Sequence, residues 1–187
     1  WLTNTKGLDL TGVDIYYLDF DSGSGVGTVD DPTDPWEEFR DGSSNGAYQA
    51  ASADDVIIIK SGTYTDEYLE TRYDAPPGTD GNPLYVFGWP GSQVQFTLSS
   101  SITPTIMMQN AVRDSSDLHF GDFYIYIDIN YGKAINTTSG TTKFRRRLTF
   151  ENIECDGNLK ASNIVTGFVI QHDMLFERML IYDGKVT

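Results

Sequence analysis

Hydrophobic and polar positions alternate along this chain in short runs rich in β-branched and aromatic residues, at 56–60, 84–88, 94–98, 105–109, 118–128, 148–155, 167–171 and 175–182. Alternation of period two sends successive side chains to opposite faces of a pleated strand, so each run predicts a β-strand. Clusters of Gly, Asn, Asp, Ser and Thr bound the runs and mark turns. One stretch reads as helical. It starts after Asp34 with Pro35 at the first helical position, carries Trp36 and Phe39 on one face, and meets the breaker run 41–46; a second short turn is expected at 47–51. The pattern predicts an all-β chain with a short N-terminal capping helix.

Three of the runs repeat one another. Leu118-His-Phe-Gly-Asp-Phe-Tyr-Ile, Leu148-Thr-Phe-Glu-Asn-Ile-Glu-Cys and Met174-Leu-Phe-Glu-Arg-Met-Leu-Ile align, with their phenylalanines at 120, 150 and 176, in steps of 30 and 26 residues. A unit of two or three short strands cannot bury its own apolar face, whereas stacked units bury a shared one. The repeat therefore predicts a parallel β-solenoid in which Phe120, Phe150 and Phe176 pile in register in the core. A sandwich or jelly roll competes, but its hairpin signals are weak: Asp80-Gly81 runs into Pro83, and Asp156-Gly157 into a long polar stretch.

The length, 187 residues, suits one domain, with an N-terminal strand, acidic loop and cap over 1–55 and stacked coils over 56–187. Thirteen Lys and Arg against 27 Asp and Glu give a net charge of −14. That balance opposes binding to nucleic acid, whose affinity comes from neutralised phosphates, and to an anionic membrane surface. Residues 1–112 carry four basic and 17 acidic groups, and 113–187 carry nine and ten, as two sections of an elongated body would. Cys155 is the single cysteine and reads as a small buried hydrophobe in a repeat strand, so no intrachain disulfide framework holds the fold. The opening at Trp1, without an initiator Met or a signal region, predicts a mature form or a fragment. The close at Tyr182-Asp-Gly-Lys-Val-Thr187, where another coil is expected, predicts that a partner chain, a second copy or further sequence covers that end.

The N-terminal half carries a more specific pattern. It comprises Ile15-Tyr-Tyr-Leu-Asp19, a Gly/Asp-rich loop, Pro35-Trp36 with Phe39, then Ala53-Asp-Asp-Val-Ile-Ile-Ile-Lys60, Ser61-Gly-Thr-Tyr64, and Gly78-Thr-Asp-Gly-Asn-Pro-Leu-Tyr-Val-Phe-Gly-Trp-Pro-Gly91. In this order the segments resemble the opening of right-handed parallel β-helix proteins of the pectate-lyase-like superfamily, over about residues 15–98; the inserted 41–46 loop departs from the family. The resemblance implies a right-handed parallel β-helix whose cap plugs the open end of the stack. It further implies a protein outside the cell, on the cell surface or on a virion, like polysaccharide lyases and phage tailspikes, that binds polysaccharide. Cleavage, if present, would be β-elimination or hydrolysis of an acidic polysaccharide. The alternative is a non-catalytic subunit of a fibre, appendage or coat assembled through the β-helix.

Candidate chemistry is sparse. Asp19, Asp21 and Asp30 in the acidic loop offer hard oxygens of the kind Ca²⁺ selects, or else make turns in a solvated loop. Lys143, Arg145 and Arg147 belong to the one basic cluster; Arg145 and Arg147 share a strand face and could meet uronate carboxylates or sulfates bidentately, or balance acidic neighbours on adjacent coils. Tyr124 and Tyr126 are expected on the outer face as a sugar platform. His172, beside Asp173, has no nucleophile or second acid in reach and reads as a turn histidine. Asn136-Thr137-Thr138 is an acceptor sequon, and no catalytic residue is identified by motif.

Overall fold

In the computed structural model, residues 1–22, 25–39, 46–70, 78–79, 81–99, 105–107, 117–128, 134–136, 145–158, 165–166 and 171–182 are described. The chain is all-β apart from one turn of helix. In order it forms β1 (Ile15–Leu18), α1 (Ala47–Ala50), β2 (Val56–Ile59), β3 (Gly62–Thr65), β4 (Leu69–Glu70), β5 (Leu84–Gly88), β6 (Val94–Leu98) and β7 (Ile106–Met107). There follow β8 (Leu118–Ile127), β9 (Ile135–Asn136), β10 (Arg145–Asp156), β11 (Val165–Thr166), β12 (Gln171–Glu177) and β13 (Leu180–Tyr182). No helix among the described residues is long and apolar enough to cross a membrane.

All pairings between these strands are parallel. The larger sheet runs β1-β2-β5-β8-β10-β12, with β3, β6 and β13 continuing it, and a second sheet runs β4-β7-β9-β11. Register holds like residues above like: Phe120 pairs with Phe150, and Phe150 with Phe176. The three rings stack in near-parallel planes, 5.9 and 5.3 Å apart. Phe120 and Phe150 are fully buried, as the repeat predicts, while Phe176 on β12 stays 39% exposed. Parallel columns form beside them, Leu84-Leu118-Leu148 and Tyr64-Phe96-Ile125-Cys155, and Leu69-Ile106-Ile135 in the second sheet. Burial of these columns drives the fold, because each strand alone would expose its apolar side chains.

The long strands turn a corner in mid-length. Asp122, Asn152 and Arg178 all adopt positive φ, at 64°, 51° and 52°, and occupy equivalent positions of the three repeats. One left-handed residue shifts the side-chain alternation by one. In β8 the buried residues are Leu118 and Phe120 before the corner, then Phe123, Ile125 and Ile127 after it. Asn152 Nδ2 donates to Asp122 Oδ1 at 2.8 Å, tying successive corners together.

Two expectations need correction. The helix lies at 47–50, where a short turn was expected, and the segment from Pro35 is extended. Trp36 makes a parallel bridge to Leu18: its N–H donates to Tyr17 O at 2.7 Å, and its carbonyl accepts from Asp19 N at 2.9 Å. The exposed backbone of β1 selected strand pairing over a helical turn. Trp36, Phe39 and Tyr48 are all buried at this end of the sheet, Phe39 and Tyr48 with ring centroids 5.2 Å apart. The Gly62-Thr-Tyr64 segment, which the N-terminal resemblance implies as a turn, is strand β3, paired with β6.

Candidate functional site

A segment remote from every repeat builds the site. Residues 1–13 cross the outer face of the large sheet, where Ile58 and Phe87 point away from the core, and bury them with Leu2, Val56, Trp1, Leu8 and Val13. Trp1 meets Phe87 edge-on at 5.8 Å. The strap carries Lys6, whose side chain is only 7% exposed. Its ammonium lies 4.6 Å from the Phe87 ring centroid and is held by Asp122 Oδ2 at 2.7 Å and Glu151 Oε1 at 3.2 Å.

Glu151 is the hub of this cluster. It precedes the Asn152 corner of β10, and beside Lys6 it accepts from Arg178 and from His119 Nε2 at 3.0 Å. A carboxylate only accepts, so His119 carries its proton on Nε2. Burial opposes the charge on Glu151, but Lys6, His119 and Arg178 together outweigh it and hold the carboxyl below its ordinary value. Burial dominates at His119 and lowers its pKa despite the neighbouring carboxylate. Asp122, Glu151, His119 and Arg178, none of them assigned a role from the sequence, thus form one network with Lys6. Its longest link spans 145 residues, and no local motif signals it.

Beside the network runs a cleft of about 500 Å³ along the stacked corners. Its polar lining includes Asp122, Asn152, Glu154 and Arg178, and its aromatic walls include Trp1, Trp89 and Tyr124. Trp89 belongs to a loop that the sheet requires. Between the pairs Phe87–Gly121 and Gln95–Tyr124, the chain spends seven residues (88–94) where β8 spends two (122–123), and the surplus bulges outward as a lip. Tyr124 lies on the outer face after the corner, donates to Asp156 Oδ2 at 3.3 Å, and has its phenol pushed up mainly by burial.

The other sequence candidates lie elsewhere. Tyr126 is half-buried two residues beyond Tyr124 on the same face. Arg145 and Arg147 sit on β10 in register with Gln171 and Asp173, seven and five residues before the Asn152 corner; Lys143 falls outside the described residues. Asp19 follows β1 and accepts from Ser22, from Asp21 N at 3.2 Å and from Lys60 Nζ at 3.3 Å. Asp30 serves the opposite end of β1, accepting from Ile15 N at 2.9 Å. Asp19 and Asp30 are not brought together, and no cluster of three metal-ligating side chains occurs among the described residues. Cys155 is fully buried, and desolvation pushes its thiol far up. Asn136 of the sequon is buried in β9. Comparison of the chain with protein-family models, curated proteins and solved structures finds no match.

Proposed function

We propose that this chain is a right-handed parallel β-helix of the pectate-lyase-like kind that works outside the cell or on a virion and binds polysaccharide in the cleft along its corners. The observation that carries the reading is the lining of that cleft. Three rings, Trp1, Trp89 and Tyr124, stand beside Asp122, Asn152, Glu154 and Arg178 in one open groove. Aromatic faces take the C–H faces of sugar rings, while carboxylates, amides and guanidinium groups hydrogen-bond the hydroxyls and fix orientation. An open groove suits a chain that enters and leaves at both ends. The parallel stack and the phenylalanine column support the β-helix reading.

The test is a glycan array followed by calorimetric titration of the hits. Trp89→Ala is expected to weaken binding at least about tenfold, on the scale of a lost aromatic contact, with the far-UV spectrum unchanged. An array without a single hit would refute the reading. The second reading, a non-catalytic subunit of a fibre or coat, draws on Leu175, Phe176 and Leu180, which are exposed on the last two strands. Light scattering separates the two: a stable assembly without glycan binding supports the second.

A further inference from the structure

Building on the glycan reading, we propose that the cleft selects uncharged glycans and disfavours uronic-acid chains. Acidic sugars need cations, and the basic side chains near this cleft among the described residues are paired with carboxylates. Arg178 is the one basic side chain among the described residues that line it, and it is paired with Glu151. Lys6 is sealed beneath the strap between Asp122 and Glu151. Asp122 and Glu154 face the ligand space, and Asp156 stands behind Tyr124 as its hydrogen-bond acceptor. Along the backbone of β10, Arg145 and Arg147 lie seven and five residues before Asn152, roughly 23 and 17 Å at about 3.3 Å per residue.

A sugar carboxylate in this cleft would therefore meet Glu154 and Asp156, while the basic side chains among the described residues there already face carboxylates. Hydroxyl groups meet the reverse situation. They donate to the exposed Glu154 carboxylate in charge-assisted hydrogen bonds, and they accept from the Asn152 amide. The same residues that repel an acid retain a neutral sugar.

The experiment is a titration at low salt, read by tryptophan fluorescence and calorimetry, with two probe sets. One holds neutral hexasaccharides of xylan, glucan and mannan type; the other holds hexagalacturonate and oligomeric alginate, each with chelator and with added Ca²⁺. At least one neutral probe is expected to bind, with every uronate at least about tenfold weaker, since like charges a few ångströms apart cost this much near a protein surface. Glu154→Gln removes one exposed charge and keeps an acceptor; it is expected to raise uronate affinity roughly threefold with an unchanged far-UV spectrum. Uronates binding as tightly as the neutral probes, with or without Ca²⁺, would overturn the charge selection and leave the glycan reading intact. No binding by either set would overturn both.

Discussion

Glu151 gathers three basic groups, Lys6, His119 and Arg178, at a point where the sheet, the strap and the last corner meet. Replacing it by Gln leaves the Lys6 ammonium, 7% exposed, with Asp122 alone, and is expected to cost about 2 kcal/mol in urea unfolding, between an unmade hydrogen bond and a broken buried ion pair. The pH dependence follows from the two shifts. Glu151 has a folded pKa below its ordinary 4.5, so its contribution is complete above about pH 4.5 and disappears as pH falls through the folded value. His119 has a folded pKa below its ordinary 6.5; the unfolded chain binds that proton more readily, so stability also falls as pH drops below about 6.5. His119→Gln is expected to flatten the upper part of this decline and Glu151→Gln the lower part, in melting temperatures recorded from neutral pH downward. None of this network was legible in the sequence, because Lys6 and Glu151 meet only through the tertiary path of residues 1–13. Tyr124 was legible, since its position in the alternation fixes its face.

Elements in this chain are specified by what lies above and below them. Phe150, sandwiched between Phe120 and Phe176, is expected to cost about 4 kcal/mol on change to Ala, as a fully buried ring does; Phe176→Ala, at a half-open position, is expected to cost distinctly less in the same denaturant titration. Gly88 closes β5 against the Asp122 corner, where a Cβ would come within 2.1 Å of the Asp122 carbonyl oxygen. Gly88→Ala is expected to destabilise by about 3 kcal/mol, because the obstacle is backbone and cannot rotate away. The strand periodicity was readable because inward residues repeat from unit to unit. Trp36 was misread because Pro35 and a three-residue aromatic spacing fit a first helical turn equally well locally. Only the unpaired edge of β1 decides for strand pairing.

At the level of the whole molecule, the strap converts an apolar sheet face into part of a cleft. Removing residues 1–8 is expected to expose Ile58 and Phe87, to raise binding of a hydrophobic dye, to lower the melting temperature and to abolish glycan binding by removing the Trp1 wall. Retained binding in the shortened protein would assign recognition to the Trp89 side alone. The net charge of −14 had pointed away from nucleic acid and from an anionic membrane surface; the cleft is acidic too, with Lys6 and Arg178 paired internally.

The lip at 89–93 has a consequence for how such a molecule can change its diet. Because β5 and β6 both anchor to β8 on either side of it, and Trp89 N donates to Ile59 O while Gln93 O accepts from Gly62 N, residues 90–92 between them can lengthen, shorten or change charge while the sheet pairs stay in place. Grafting a basic stretch there would recruit acidic sugars while the stack beneath stays as it is, so recognition and architecture are free to evolve on separate clocks.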